Sequence, residues 1–311
     1  MSWTKKDLLG LEYLTKEEIE LILSTADSFK EVSSREIKKV PALRGKTVVN
    51  LFYEPSTRTR VSFEVAAKRL SADVINIATE TSSVKKGETL VDTGKNIQAL
   101  KADIIVMRHR HEGAAKLAAE IAKVPVINAG DGSKHHPTQA MVDLYTIWKE
   151  LGKIDGLHVA LAGDLRYGRA AASLIYALTK FKPRKISLIS PPPLKPRKEI
   201  EDFLKDSKLK FFVGEKLEEI VGDIDVLYVT RIQKERFPDP AEYEKVRDSY
   251  RIELGLLQRA KSNMIILHPL PKVNEIDLSV DESKHARYFQ QAAYGVPVRM
   301  ALLALLLGAV R

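Results

Sequence analysis

Ser56-Thr57-Arg58-Thr59-Arg60 packs three hydroxyls and two guanidinium groups into five residues. The stretch follows the apolar run Thr47 to Tyr53, which reads as a buried strand. It precedes Val61 to Leu70, whose apolar spacing is helical. It is therefore a strand-to-helix turn. The first amides of a helix have no intrahelical partner, and the helix dipole adds partial positive charge there. An arginine fork matches phosphate oxygens. These residue types at such a turn make a phosphate cradle. The plainer reading is a helix capped by serine or threonine, with two solvated arginines. Pro55, and a second arginine two residues after the first, favour the cradle.

Donors of the same kind recur along the chain at Lys86, Arg108, His136, Arg169, Arg231 and Gln233. Several fall just past runs that read as strands, where open α/β sheets bind ligands. A set of cations and neutral donors binds polyanions. It holds no evident nucleophile and no carboxylate pair for general acid–base work. That suits direct transfer between two bound substrates, driven by positioning and charge stabilisation. Taken singly, each arginine also reads as a surface ion-pair partner.

Three near-matches fail. Gly163-Asp164-Leu165-Arg166-Tyr167-Gly168-Arg169-Ala170 mimics a phosphate loop but lacks the Gly-Lys-Ser/Thr ending. Its glycine spacing is also wrong for a dinucleotide fingerprint. It reads better as a strand-end loop at a helix start, with Arg169 aimed at an anion. His109-Arg110-His111 and His135-His136 lack the helical i,i+4 pattern of a zinc site, so no metal is expected. No Ser-His-Asp order with a nucleophile elbow is visible, which disfavours covalent acyl chemistry.

The elements that must hold these residues alternate. Strands are expected at 46–53, 73–78, 103–107 and 125–128, with helices at 57–70, 89–100 and 112–123. Thr15-Lys16-Glu17-Glu18 is a capping box for an N-terminal helix. A long helix runs from Pro137, a first-turn proline, to Leu151 before Gly152. The rhythm restarts with strands at 157–162, 185–190, 209–213, 225–229 and 263–267. Helices are expected at 168–181, 196–207, 216–222 and 251–260, and a closing helix at 293–308. The expected fold is α/β, with two doubly wound parallel-sheet domains linked by long helices.

Bulk properties agree. A chain of 311 residues accommodates two domains. No apolar run approaches the ~20 residues of a membrane span. The N-terminus lacks a signal-peptide core, so a cytoplasmic protein is expected. Lys plus Arg number 50 against 41 Asp plus Glu, a net +9. The cations are scattered rather than striped, which favours small anions over nucleic acid or a membrane surface. With no cysteine, disulfides, thiolate nucleophiles and Cys-type zinc sites are excluded. Absent Cys with abundant Lys and Glu is also a weak thermophile signal.

The stretch from Phe52 to Arg60 resembles the carbamoyl-phosphate signature of the aspartate and ornithine carbamoyltransferases. The resemblance continues at Lys85-Lys86-Gly87-Glu88-Thr89, Met107-Arg108-His109, His136-Pro137-Thr138-Gln139 and the 163–169 loop. It ends with the run Thr230 to Arg236 and with His268-Pro269-Leu270-Pro271. These motifs fall in the family's order along nearly the whole chain.

The resemblance implies a carbamoyl-phosphate-binding domain at 1–151, rejoined by a C-terminal helix within 286–311, and an aspartate-binding domain at 152–285. It implies that Ser56, Thr57, Arg58 and Thr59 hold the phosphate with Arg108. Thr59, Arg108 and His136 would face the carbonyl oxygen. Gln139 and the Leu270 main chain would accept from the carbamoyl NH2 group. Ser82 and Lys86 would reach a neighbouring subunit's site, within a homotrimer that shares its active sites. Arg169, Arg231 and Gln233, with Lys86, suit two carboxylates and would repel ornithine's extra ammonium, so aspartate is the expected acceptor and pyrimidine synthesis the expected setting. Glu54 would hold Arg169 and Arg236 across the domain cleft. No cofactor is implied, and a separate zinc-containing regulatory chain in a larger assembly is allowed. Arg166, Val84 and an extra Pro238 depart from the family pattern and bear on loop dynamics and cooperativity.

Overall fold

A computed structural model describes residues 3–78, 88–234, 237 and 239–310. The chain divides into two compact units, one of residues 1–142 with 294–311 and one of residues 143–293. The divisions fall inside two helices, α5 (Pro137–Leu151) and α10 (Tyr288–Leu306).

In the first unit four parallel strands stand in the order β2-β1-β3-β4: β1 Thr47–Phe52, β2 Asp73–Ala78, β3 Ile104–His109 and β4 Val126–Asp131. Helices α1 (Lys16–Lys30), α2 (Thr57–Arg69), α3 (Leu90–Ala99) and α4 (Ala114–Ile121) connect and cover them. Strands covered on both faces read as continuous apolar runs, and every residue of β4 is buried. Val49, Leu51, Ile105 and Met107 pack against Ile97 of α3 and Ala114, Ala118 and Ala119 of α4. The alanines let α4 approach the sheet closely. Both halves of the α1 capping box form: Glu18 N donates to Thr15 Oγ1 at 3.2 Å, and Thr15 N to Glu18 Oε2 at 2.9 Å. Arg299 of α10, only 4% exposed, donates to Ser62 Oγ of α2 at 3.0 Å and to Gly295 O at 3.0 Å, and lies over the Phe63 ring. It pins the helix that begins at the 56–60 turn.

The second unit has five parallel strands in the order β7-β6-β5-β8-β9: β5 His158–Gly163, β6 Lys185–Ile189, β7 Phe211–Gly214, β8 Val226–Thr230 and β9 Ile265–Leu267. Helices α6 (Arg169–Leu178), α7 (Lys198–Asp206), α8 (Pro240–Glu244) and α9 (Leu254–Leu257) fall between these strands along the chain. Ala160, Ala162, Leu227, Val229 and Ile266 share a core with Leu217, Val221, Ile252, Leu257 and Tyr288. Both sheets are thus doubly wound α/β. In each, the chain starts in the middle, builds one side, then crosses to the other. The reversal falls between β1 and β3 in one sheet and between β5 and β8 in the other.

Three expected helices differ. The segment 216–222 forms only the 3-10 turn Leu217–Glu219, being too short to repay helix nucleation before Gly222. The expected helix at 251–260 shrinks to α9, whose interior carries Gly255. The closing helix starts earlier than expected, at Tyr288, and continues through Pro297. Arg299 donates to the Gly295 carbonyl beside that proline.

Candidate active site

At the first reversal β1 and β3 run side by side, with Phe52 opposite Arg108. Tyr53 N donates to Arg108 O at 2.8 Å, extending the pairing one step past the strand. Four residues after Phe52 the chain enters α2. Ser56 is its N-cap but makes no side-chain capping bond, and the first turn holds no acid. The capping bond of the plainer reading is therefore absent. Thr59 is buried at 6% exposure, whereas Arg58 is exposed. A helix start with hydroxyls, no carboxylate and no side-chain cap suits an anion.

Arg108 is fixed beside this turn. Its Nη2 donates to Glu54 Oε1 at 2.6 Å and its Nη1 to Ala129 O at 3.4 Å. The pair is mostly buried, so solvent screens it little. The next strand, β4, ends in a turn that leads to His136. Asp131 Oδ2 accepts from Gly113 N and its Oδ1 from Asn128 Nδ2. Gly132 sits at φ +47°, and a Cβ there would lie 2.3 Å from Glu112 Cγ and 2.9 Å from Glu112 N, so the turn requires glycine. His136 is buried, with Thr138 Oγ1 3.4 Å from its Nδ1, and Gln139 N donates to its carbonyl in the first turn of α5. Its neighbour His135 has a packing role: it lies 3.1 Å from Glu12, and burial holds its pKa down. The ends of β1, β3 and β4 thus bring Ser56, Thr57, Arg58, Thr59, Arg108, His136 and Gln139 to one edge of one sheet.

The second reversal has a different build. Gly163 and Thr230 end β5 and β8 as neighbours. Gly163 has φ +111°, and a Cβ there would sit 2.2 Å from Thr230 O. Thr230 Oγ1 donates to Ala162 O and Asp164 O, both at 3.2 Å. Asp164 Oδ1 accepts from the Arg166 and Tyr167 amides at 3.1 and 2.8 Å, shaping the 164–168 loop as an Asx turn. Arg169 begins α6 and is 7% exposed. A guanidinium this deep costs several kcal/mol unless its charge is met. Arg231 and Gln233 follow β8 and are half-buried. Tyr167, Phe237 and Tyr243 pack on Leu194, Ile232 and Val246, tying the two loops together. Arg166 lies over the Tyr167 ring.

The 268–271 loop follows β9. His268 is 1% exposed. Its Nδ1 accepts from Leu270 N at 2.8 Å, and its Nε2 lies 2.8 Å from Glu275 Oε1. Its own N–H donates to Gln291 Oε1, and Gln291 Nε2 donates to Asp143 Oδ1 at 2.7 Å. Leu270 has φ +56°, and the Leu270–Pro271 bond is cis. A bulky residue in the left-handed region costs about 1–3 kcal/mol. Glu275 and Gln291 escaped the sequence reading because no local spacing marks them.

Ser82, Lys86, Val84, Arg236 and Pro238 lie outside the described residues. Glu54 accepts from Arg108, a partner the sequence reading did not assign it. The second unit also holds a Ser-His-Asp chain: Ser187 Oγ to His158 Nε2 at 2.8 Å, and His158 Nδ1 to Asp223 Oδ2 at 3.0 Å. Ser187 and His158 have no exposure, so this chain ties β5 and β6 to the turn before β8. Among the described residues no group of three or more metal-ligating side chains could hold a metal, and no helix is long and apolar enough to cross a membrane.

Two parallel α/β units, each placing cationic and neutral donors at its reversal point, define a protein built to handle anionic substrates. The chain belongs to the aspartate/ornithine carbamoyltransferase family: the family's carbamoyl-P binding domain matches residues 6–149, and its Asp/Orn binding domain matches residues 155–306. It is 54% identical over 308 residues to the aspartate carbamoyltransferase catalytic subunit of Hyperthermus butylicus, covering 98% of this chain and 97% of that one. Identity to the Archaeoglobus fulgidus catalytic subunit is 55% over 301 residues, with 96% and 98% covered. Among solved structures, the catalytic subunit of M. jannaschii aspartate transcarbamoylase superposes with TM-score 0.88 at 50% identity, covering 98% of each chain. The Trypanosoma cruzi aspartate transcarbamoylase in complex with carbamoyl phosphate and aspartate gives TM-score 0.92 at 34% identity, covering 97% of each.

Proposed function

We propose that the chain transfers the carbamoyl group of carbamoyl phosphate to the amine of L-aspartate, giving N-carbamoyl-L-aspartate and phosphate, for pyrimidine synthesis in the cytoplasm. The carrying observation is the acid-free start of α2, without a side-chain cap, next to the Arg108 held by Glu54. The T. cruzi relative in complex with both substrates supports the choice of substrates.

In this reading residues 1–151 with 286–311 bind carbamoyl phosphate and residues 152–285 bind aspartate. Ser56, Thr57, Arg58 and Thr59 take the phosphate oxygens. Thr59, Arg108 and His136 stabilise the tetrahedral oxyanion formed when the amine attacks the carbonyl carbon. The new C–N bond forms, the C–O bond to phosphate breaks, and the amine proton leaves with the phosphate. Gln139 and the Leu270 main chain accept from the carbamoyl NH2 group. Arg169, Arg231 and Gln233 take the two carboxylates. Ser82 and Lys86 complete a neighbour's site in a homotrimer, and Glu54 and Arg236 serve domain closure. A zinc-containing regulatory chain would be a separate polypeptide, since this one has no cysteine.

The test is phosphate release from carbamoyl phosphate with aspartate or ornithine as acceptor. Turnover with aspartate and none with ornithine is expected; the reverse preference would overturn the acceptor assignment. Mixing Lys86→Ala and Arg58→Ala chains under subunit exchange tests the shared site. Activity should return, and mixed oligomers that stay inactive would place Lys86 within its own subunit or outside the reaction.

A further inference from the structure

The loop after β9 contains a buried imidazole–carboxylate pair that the transfer chemistry does not use. We propose that His268 and Glu275 are positioning residues that hold the Leu270 main chain in place to receive the carbamoyl NH2 group. This rests on the reading above, in which the Leu270 main chain accepts from that group.

His268 Nδ1 accepts from the Leu270 amide at 2.8 Å, so it cannot itself carry hydrogen. A neutral ring must then be protonated on Nε2, and that atom faces Glu275 Oε1 at 2.8 Å. Burial pushes the His268 pKa down, and although Glu275 pulls it up, the Arg231 and Lys272 charges add to the fall. Burial pushes the Glu275 carboxyl up, but the bonds it accepts from His268 and from backbone amides bring it below its usual range. A neutral imidazole beside an anionic carboxylate is the consistent state.

Glu275 also grips the chain on the far side of Leu270. Its Oε2 accepts from the Val273 and Asn274 amides, each at 3.1 Å. One carboxylate thus lies against the ring of residue 268 and takes the backbone amides of residues 273 and 274. Leu270 lies between, at φ +56°. A left-handed leucine persists only where its surroundings over-determine it. The His268 and Glu275 bonds are such surroundings.

Glu275→Gln is diagnostic because a carboxamide has one accepting end. If its oxygen faces His268, its NH2 faces the Val273 and Asn274 donors. If it turns round, its NH2 faces Nε2 and forces the proton to Nδ1, opposite the Leu270 N–H. Either way a donor meets a donor.

The experiment joins ring-nitrogen NMR on the full-length protein, which has seven histidines, to steady-state kinetics. Wild-type His268 should show the Nε2–H tautomer. Glu275→Gln should shift its ring signals and lower kcat by about 10- to 100-fold, the scale set by a misplaced reacting group. The KM for aspartate should change far less than the KM for carbamoyl phosphate. Glu275→Asp keeps an accepting carboxylate and should recover part of the loss. Should Glu275→Gln not fold, His268→Asn serves: its oxygen can still accept from Leu270 N–H, and it should outperform His268→Ala. An Nδ1–H tautomer in the wild type, or a folded Glu275→Gln variant with altered ring signals and kcat within about twofold of wild type, overturns the positioning role. A wild type that carbamoylates no amine overturns the assigned reaction instead, and the role with it.

Discussion

The two reversal points solve the anion problem differently. At β1 and β3 the loop offers a helix start with no acid and no side-chain cap, and hydroxyls stand beside its amides. Each reversal has an acid, used differently: Glu54 in the first loop takes the Arg108 guanidinium, whereas Asp164 in the second takes the Arg166 and Tyr167 amides of its own loop. Backbone amides and hydroxyls make a compact pocket for a tetrahedral, multiply charged group. Guanidinium forks on separate loops suit planar carboxylates, each met in two-point fashion. The contrast supports the proposed placing of phosphate in the first unit and the dicarboxylate in the second.

The strongest way to break this contrast is Arg58→Ala. It should lower kcat/KM by about 3–4 kcal/mol, roughly 10²–10³-fold, without loss of folded structure. Steady-state kinetics alongside circular dichroism checks it, and near-normal turnover in a folded variant rejects the cradle. Gly163→Ala attacks the second reversal. A Cβ 2.2 Å from Thr230 O at a φ of +111° should cost about 2–4 kcal/mol of stability, read as a lower denaturation midpoint. A wild-type midpoint would mean that the two strand ends are free to part.

The mildest effect sharpens the picture of the second unit's frame. His158 has its pKa held below 6.5, first by burial. The unfolded chain therefore binds the proton more readily than the folded one. The stability this contributes is complete above pH 6.5 and drains away as the pH falls below it. Tm should drop with acidification in that window, and His158→Asn should flatten part of the slope. His109, His135 and His268, whose pKa values are also lowered, leave the remainder. An unchanged slope would show that the Ser187–His158–Asp223 chain carries no such linkage.

The sheets were legible from the apolar runs because parallel strands are covered on both faces. The 56–60 turn was legible because its residue types are rare together. Two weak helices were not, since a few residues around Gly222 or Gly255 hold helical spacing without helical stability. The expected closing helix, 293–308, already ran through Gly295 and Pro297 but missed the residues from Tyr288 to 292 that precede them. His158 was invisible for another reason: Ser187 and Asp223 are 29 and 65 residues away from it, and only β5–β6 pairing and the pre-β8 turn bring them together. Glu275 was missed likewise, because its meaning depends on which histidine nitrogen faces it.

The division of labour is tested most directly by equilibrium binding of carbamoyl phosphate to wild type, Arg58→Ala and Arg231→Ala, followed by aspartate titrated onto each loaded protein. Arg58→Ala should lose carbamoyl phosphate by about 100-fold, the scale of a charge-assisted phosphate contact. Arg231→Ala should bind carbamoyl phosphate within about threefold of wild type and take up aspartate at least about tenfold more weakly. Tight carbamoyl phosphate binding by Arg58→Ala, together with its loss in Arg231→Ala, would contradict the account.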